Sequence, residues 1–304
     1  MTRRLAAASS STIGIALAAL LLAAPAAAQQ QSQALTVQKL TADVYSVSGG
    51  GGNSGVVIGS TGVIVIDAKT TPVSGKALLD EIAKLTPKPV THVILTHSDG
   101  DHVNGLASFP AGVTVVAHAG AKHEMDAALS GGGRGAPPAD HMPSQVIDGS
   151  GEHLTIDGVA LELHHWAPAH TSGDLVVYLP SQRIVFTGDI IATTRPDPLI
   201  HLEKNGSSAG WITTVQGILG LDADRFVPGH GELQSKSEIQ ARLTSATQKR
   251  AQIAALVKEG KSLDEIRTAV GDPAPAAASG GGGRGGGFAS FTEVVYRELS
   301  GRGG

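Results

Sequence analysis

The chain of 304 residues has no cysteine. That excludes disulfides in any compartment and a lipid anchor on cysteine. It also excludes a thiol nucleophile and thiolate metal ligands, so any bound cation must be held by nitrogen and oxygen. Aromatic residues make up only 3%. The glycine hairpin "SGGGGNSG" near residue 50 has none, so as a flap it would grip apolar substrates weakly. Basic residues are not in excess: the formal net charge is −4, and no stretch accumulates Lys or Arg. A nucleic-acid partner therefore has no electrostatic footprint. The one sustained apolar run, from about Ile13 to Ala24, is shorter than the about 20 residues a membrane span needs.

That run follows two arginines and ends in "AAAQQ", the pattern of a secretory leader with a small-residue cleavage site. The expectation is a signal peptide over residues 1–28, and a periplasmic or secreted protein with no membrane span once the leader is cleaved. Residues 29–271 are long enough for one large α/β domain. Residues 272–304 read as a low-complexity linker, "GDPAPAAASGGGGRGGG", followed by a short terminal helix, "FASFTEVVYREL", that docks back.

Within the domain, "ALTVQKLTADVYSVSG" alternates as a strand should. "VVIGSTGVIVIDA" reads as a hairpin. "TPVSGKALLDEIAKL" has helical spacing, and "VTVVAH" then "AGAKHEMDAAL" form a strand and a helix. Strands resume with "GEHLTIDGVALELHHWAP", "DLVVYLP" and "RIVFTGDII". "GSSAGWITTVQGILGL" reads as a helix capped by Ser207 or Ser208. A long amphipathic helix follows, and the next begins with the capping box Ser262-x-x-Glu265. The Gly/Pro segment from Ser130 to Pro143 breaks the pattern as a surface loop, either a solvated insert or a lid. Strands then helices occur twice, which suggests two similar halves packed sheet to sheet with helices outside.

Four segments place ligand-type side chains just after an apolar strand. They are "VILTHSDGDHVNG" with His97, Asp99, Asp101 and His102, "HHWAPAHTSGD" with His170, "RIVFTGDII" with Asp189, and "RFVPGHGE" with His230. Loops on rigid strands can converge on one point. Of the remaining histidines, His92, His118, His153, His164 and His165 read as core or surface residues. His123, His141 and His201 lie near loops that could meet a substrate. The glycine tracts do not make a phosphate-cradling loop.

These motifs, in this order, resemble the metallo-β-lactamase-fold superfamily over about Val37 to Leu243. "THSDGDHVNG" is similar to its His-x-His-x-Asp-His loop, and "AHTSGD", "TGD" and "PGHGE" to its later ligand loops. The resemblance implies an αββα sandwich with a two-metal site at one edge. It implies that His97 and His170 hold one ion, that Asp101, His102 and His230 hold the second, and that Asp189 bridges them. Asp101 would also orient the water, while Asp67 and Asp174 would stand behind the ligands and fix the histidine rings, Asp174 being alternatively a turn residue of "HTSGD".

Asp99 departs from the motif, which has histidine there. A carboxylate oxygen sits about as far from Cβ as the near ring nitrogen, so Asp99 can reach the same ion. The alternative leaves it turned away and the first site weak or empty. A third carboxylate makes the cluster one unit less positive and a poorer Lewis acid. His97, Asp99 and His170 also form a two-histidine, one-carboxylate set that suits iron or manganese as well as zinc.

The function implied is an exported metal-dependent hydrolase acting on a small molecule, with two divalent ions, zinc or else iron or manganese. A hydroxide between the ions would cleave an ester, thioester, lactone or β-lactam amide. The competing readings are a class B β-lactamase proper, an iron-dependent oxidoreductase of the same fold, and a non-catalytic metal binder. His201, Lys204 and Arg134 are the candidates for contact with an anionic substrate.

Overall fold

The computed structural model describes residues 34–131, 137–272 and 288–301. The leader reading (1–28) and Arg134 fall outside them. Seven strands form the first sheet in sequence order: β1 (Thr36–Lys39), β2 (Val44–Ser48), β3 (Ser54–Ile58), β4 (Val63–Ile66), β5 (Val90–Ile94), β6 (Thr114–His118) and β7 (Gln145–Ile147). The second sheet has five strands in the order β12-β11-β10-β9-β8. They are β8 (Glu152–Ile156), β9 (Val159–His164), β10 (Val176–Leu179), β11 (Ile184–Phe186) and β12 (Arg225–Val227). The helices are α1 (Pro72–Leu85), α2 (Gly100–Val103), α3 (Ala119–Ser130), α4 (Ser208–Gly220), α5 (Lys236–Lys258), α6 (Leu263–Ala269) and α7 (Phe291–Ser300).

Short runs such as "VIVI" in β4 are apolar at every position because both faces of the strand are covered. Ile64 and Ile66 point between the sheets, and Val63 and Val65 point to the helices. Val177 against Val176 and Phe186 against Val185 divide in the same way in the second sheet. Period-two alternation thus yields three apolar layers. The middle layer lies between the sheets. One outer layer joins the first sheet to Leu78 and Ile82 of α1 and Met125 of α3. The other joins the second sheet to Trp211 of α4, Ile239 and Ile253 of α5, Ile266 of α6 and Val294 of α7. This is the α/β fold expected, an αββα sandwich.

Pairing follows from the connections. β4 through β7 are parallel to one another, each crossover running through α1, α2 or α3. The caps are as the sequence suggests, with Ser262 and Glu265 forming a capping box. Ser207 is the cap of α4, and Ser208 gives its N–H to Glu298 on α7 instead. Among the described residues, no helix is long and apolar enough to cross a membrane.

Two elements differ from the sequence reading. "ALTVQKLTADVYSVSG" is not one strand but a hairpin of β1 and β2, turned where Leu40 and Thr41 both donate to the Val44 carbonyl. The alternation on either side of the turn hides it. β7 lies in the stretch after the Gly/Pro segment that carries no strand signal. It has three residues with only Ile147 buried, too few to show a period.

Candidate metal centre

Asp67, His97, His170, Asp189 and His230 follow the C-terminal ends of β4, β5, β9, β11 and β12. Close backbone contacts hold these loops together. Asn53 spans the two sheets, its side-chain amide donating to the carbonyls of Pro228 and Gly231 at 2.9 Å each. The amide of Ala68 donates to the His102 carbonyl at 2.6 Å.

Three overlapping sets of ligand atoms result, each with its atoms within 4.8 Å of one another: His97–Asp99–His170, Asp101–His102–His230 and His97–His102–Asp189. In the first set, Asp99 Oδ2 is 3.1 Å from His170 Nε2 and 3.7 Å from His97 Nε2. In the second, Asp101 Oδ2 is 2.9 Å from His230 Nε2 and 3.8 Å from His102 Nε2. Asp189 lies between them. Its Oδ1 is 3.3 Å from His102 Nε2, and its Oδ2 is 3.4 Å from His230 Nε2 and 3.9 Å from His170 Nε2. Asp99 therefore faces the imidazoles rather than turning away.

The rings are oriented from behind. Asp67 Oδ2 is 2.8 Å from His102 Nδ1 and also accepts from the Thr96 hydroxyl, while Oδ1 accepts from the Thr96 amide. Thr96 Oγ1 is in turn 2.9 Å from His97 Nδ1. His170 Nδ1 donates to the Leu199 carbonyl at 2.9 Å. With the Nδ1 positions so engaged, the Nε2 atoms of these rings face one another. Asp67 and Lys69 both have left-handed backbone, φ 62° and 77°. That is uncommon for lysine, and such outliers gather where the surroundings over-determine the chain.

Asp174 does not orient His170. Its carboxylate is consumed by its own loop, accepting from the amides of Ala169 and Thr171 and from the Thr171 hydroxyl. It is the turn residue of "HTSGD", and the Leu199 carbonyl takes the part expected of it. His201 and Lys204 also have other partners than the anionic substrate expected of them. Both lie against Asp99, with His201 Nε2 2.9 Å from Oδ2 and Lys204 Nζ 2.5 Å from Oδ1.

The electrostatics suit a cation. Burial disfavours the charged forms of His170 and His230, yet Asp99 and Asp101 outweigh it and push both rings up to about 9. His102 is raised well above the ordinary histidine range against burial, by Asp67 and Asp189. Burial would raise the Asp189 and Asp99 carboxyls, but the surrounding imidazoles hold both far below the usual range. Buried polar atoms are normally satisfied. Here the buried His97 Nε2 and Asp189 Oδ1 make no regular hydrogen bond. Both point into the cluster, and the donors are all imidazole and carboxylate, a set that fits zinc, iron or manganese.

Lys204 also donates to Ser98, which donates to Glu124 on α3, and of these supporting groups Thr96, Ser98, Glu124 and the Leu199 carbonyl carry no sequence signal of their own. Thr96 adjoins His97 but acts through Asp67, 29 residues away. Glu124 reaches the site only because α3 packs beside it.

Fold and site together define an αββα protein with a buried histidine–aspartate cluster, able to hold metal ions, at the sandwich edge. Residues 47–230 match the profile of the metallo-beta-lactamase superfamily, and the chain belongs to that superfamily, whose members include hydrolases. It is 27% identical over 210 residues to the alpha subunit of 2,4-dinitroanisole O-demethylase from Nocardioides sp. (strain JS1661), covering 68% of this chain and 61% of that one. It is 24% identical over 184 residues to a metallo-beta-lactamase type 2 from Bacillus cereus, covering 60% and 68%. The sec-alkylsulfatase Pisa1 from Pseudomonas sp. superposes with a TM-score of 0.69 at 19% identity, covering 87% of this chain and 50% of that one, a likeness of fold. The chain thus spans about 61% of the O-demethylase subunit's length.

Proposed function

We propose that the protein is a hydrolase of small-molecule ester, thioester, lactone or β-lactam bonds, with one divalent cation held by His97, Asp99 and His170 and a second by Asp101, His102 and His230. The observation that carries this reading is the place of Asp189, whose two oxygens reach imidazoles of both sets. A carboxylate in that position suits a bridge. When bound, such cations lower the pKa of water and polarise the bond under attack.

The chain's own groups then divide the work. Asp101 is the acid of the cluster that faces solvent, its side chain 37% exposed against 4% for Asp189. In this reading it orients an entering water as well as binding the second cation. Asp189 and His102 are buried and hold position. His230, partly exposed, stands beside Asp101 at the mouth. The O-demethylase relative adds an aryl methyl ether to the substrates worth assaying. Export rests on residues 1–28 alone and is tested by sequencing the N-terminus of the mature protein.

The test is elemental analysis of the full chain purified without added metal, with assays on chromogenic ester, thioester, lactone, cephalosporin and aryl methyl ether substrates. About two divalent ions per chain and a turnover abolished by chelator and by His230→Ala are expected. Turnover that survives metal removal, or none above buffer on every substrate, would remove the reading. A single iron per chain with oxygen consumption would favour the oxidoreductase alternative carried by the His97–Asp99–His170 set.

A further inference from the structure

We propose that Lys204 is the positioning residue that lets an aspartate stand at position 99. Its ammonium holds one carboxylate oxygen and returns the positive charge the acid removes, leaving the other oxygen turned toward His97 and His170. This rests on the metal-centre reading above.

Asp99 uses its two oxygens differently. Oδ1 takes the Lys204 ammonium at 2.5 Å, and Oδ2 faces the ring nitrogens of His170, His201 and His97. An aspartate without such a partner has two equivalent oxygens and a free rotation about χ2. Here the ammonium fixes which oxygen faces the imidazoles. Asp99 caps no helix amide with its side chain, so nothing else in α2 fixes it.

Lys204 is built into the site rather than passing over it. Its carbonyl accepts from the Ser172 amide at 2.8 Å, and the His201 amide donates to the His170 carbonyl at 2.8 Å. The turn that carries the lysine is therefore stitched to the loop that carries His170. Asn205 closes that turn in the left-handed conformation, φ 55°. Gly206 lies so close to the His170 carbonyl that a β-carbon would come within 2.2 Å of it.

The ammonium is also engaged on its far side. It donates to Ser98 Oγ at 2.7 Å, and Ser98 donates to Glu124, which lies 4.0 Å from the ammonium and also accepts from Ser172 Oγ at 2.6 Å. Two carboxylates and a hydroxyl thus surround one ammonium. That arrangement holds Lys204 in place and leaves it poorly disposed to reach a substrate anion. Glu124 already has two serine hydroxyls, so the shorter contact, to Asp99, is the one the ammonium serves.

The experiment is a Zn2+ titration of the metal-free full chain, with stoichiometry by elemental analysis, on the wild type, Lys204→Met, Lys204→Gln, Lys204→Arg, Asp99→His and the double variant Asp99→His/Lys204→Met. Two binding events are expected in the wild type. Lys204→Met and Lys204→Gln should weaken one of them by about 10–100-fold, the range for loss of a partner behind a metal ligand, and leave the other unchanged. Lys204→Arg should restore most of the loss. In the Asp99→His background, where no acid needs a counter-charge, Lys204→Met should change neither event. Binding by both Lys204 variants equal to wild type overturns the inference. So does an equal loss in the Asp99→His background, which would mark Lys204 as merely structural. A wild type that takes up no divalent cation overturns the metal-centre reading itself, whereas two intact sites with unchanged Lys204 variants overturn this inference alone.

Discussion

Asp67 Oδ2 and His102 Nδ1 lie 2.8 Å apart, both buried, and join the end of β4 to the ligand loop after β5. The acceptor fixes a proton on Nδ1 and leaves Nε2 free to bind. Asp67→Asn preserves size, and asparagine also tolerates the left-handed backbone found there. It exchanges a charged acceptor for an amide and removes the hold on the tautomer. We expect Zn2+ affinity to fall by about 10–100-fold with the fold retained. Equal affinity, measured by competition with a chromophoric chelator, would show that Asp67 does not tune His102.

Gly52 packs its backbone on the His102 ring. A β-carbon there would sit 2.2 Å from Cε1 and 2.3 Å from Nε2, well inside contact distance. Gly52→Ala should therefore displace the imidazole and lower metal content without needing a strained φ. Gly220→Ala is the control, since nothing lies within 4 Å of its β-carbon. Alanine there should be neutral or stabilising by up to about 1 kcal/mol. If both variants keep wild-type metal content by elemental analysis, the close approach of Gly52 is not what seats the ring.

The cluster of candidate ligands was legible because its chemistry is local. His97 to His102 lie in one loop, and His170, Asp189 and His230 each follow an apolar strand whose end the alternation marks. Asp67 was legible for the same reason. The roles of the other supporting groups were not, because they act across the fold. Lys204 meets Asp99 from 105 residues away, and Leu199 acts through a carbonyl that every residue possesses. Asp174 and Asp67 are both acids that the sequence offers as supports for the candidate ligands, Asp174 just after His170 and Asp67 at the end of β4. Their roles differ by where the backbone donors of Thr171 and Thr96 fall. The β1–β2 turn escaped because the apolar alternation does not change across it.

Trp211 ties α4 to the turn that carries Asp189. Its buried indole N–H donates to the Ile190 carbonyl at 2.6 Å. Trp211→Phe keeps an aromatic ring but leaves that carbonyl without its donor, at a cost of about 1–3 kcal/mol, or several degrees in melting temperature. Metal stoichiometry should survive, because Asp189 is held independently where the Gly229 amide donates to the Gly188 and Ile191 carbonyls. Loss of metal along with stability would mean that the indole positions Asp189 as well.

Lys69 is a fully buried lysine, 0% exposed, whose ammonium donates to the carbonyls of Val47 at 2.7 Å and Gly52 at 2.8 Å. It thereby anchors the glycine loop that lies against His102. Burial pushes the amine down to about 7, against the opposing pull of Asp67. An unfolded lysine titrates at about 10.4. The folded value is therefore the lower of the two. Between about pH 7 and 10 the unfolded chain binds more protons than the folded one, and this lysine makes stability rise with pH. Below pH 7 the amine is charged in both states and its burial cost is constant. Measured against Lys69→Met, which cannot titrate, the metal-free wild type should gain stability from pH 7.5 to 9.5, by at most about 1.4 kcal/mol per pH unit. Taking the difference cancels the other titrating groups the two proteins share. A wild-type-minus-variant stability that stays flat over this range in urea unfolding would show that the amine titrates alike in the folded and unfolded chain, and one that falls would show that the folded chain holds the proton more tightly; either result overturns the prediction.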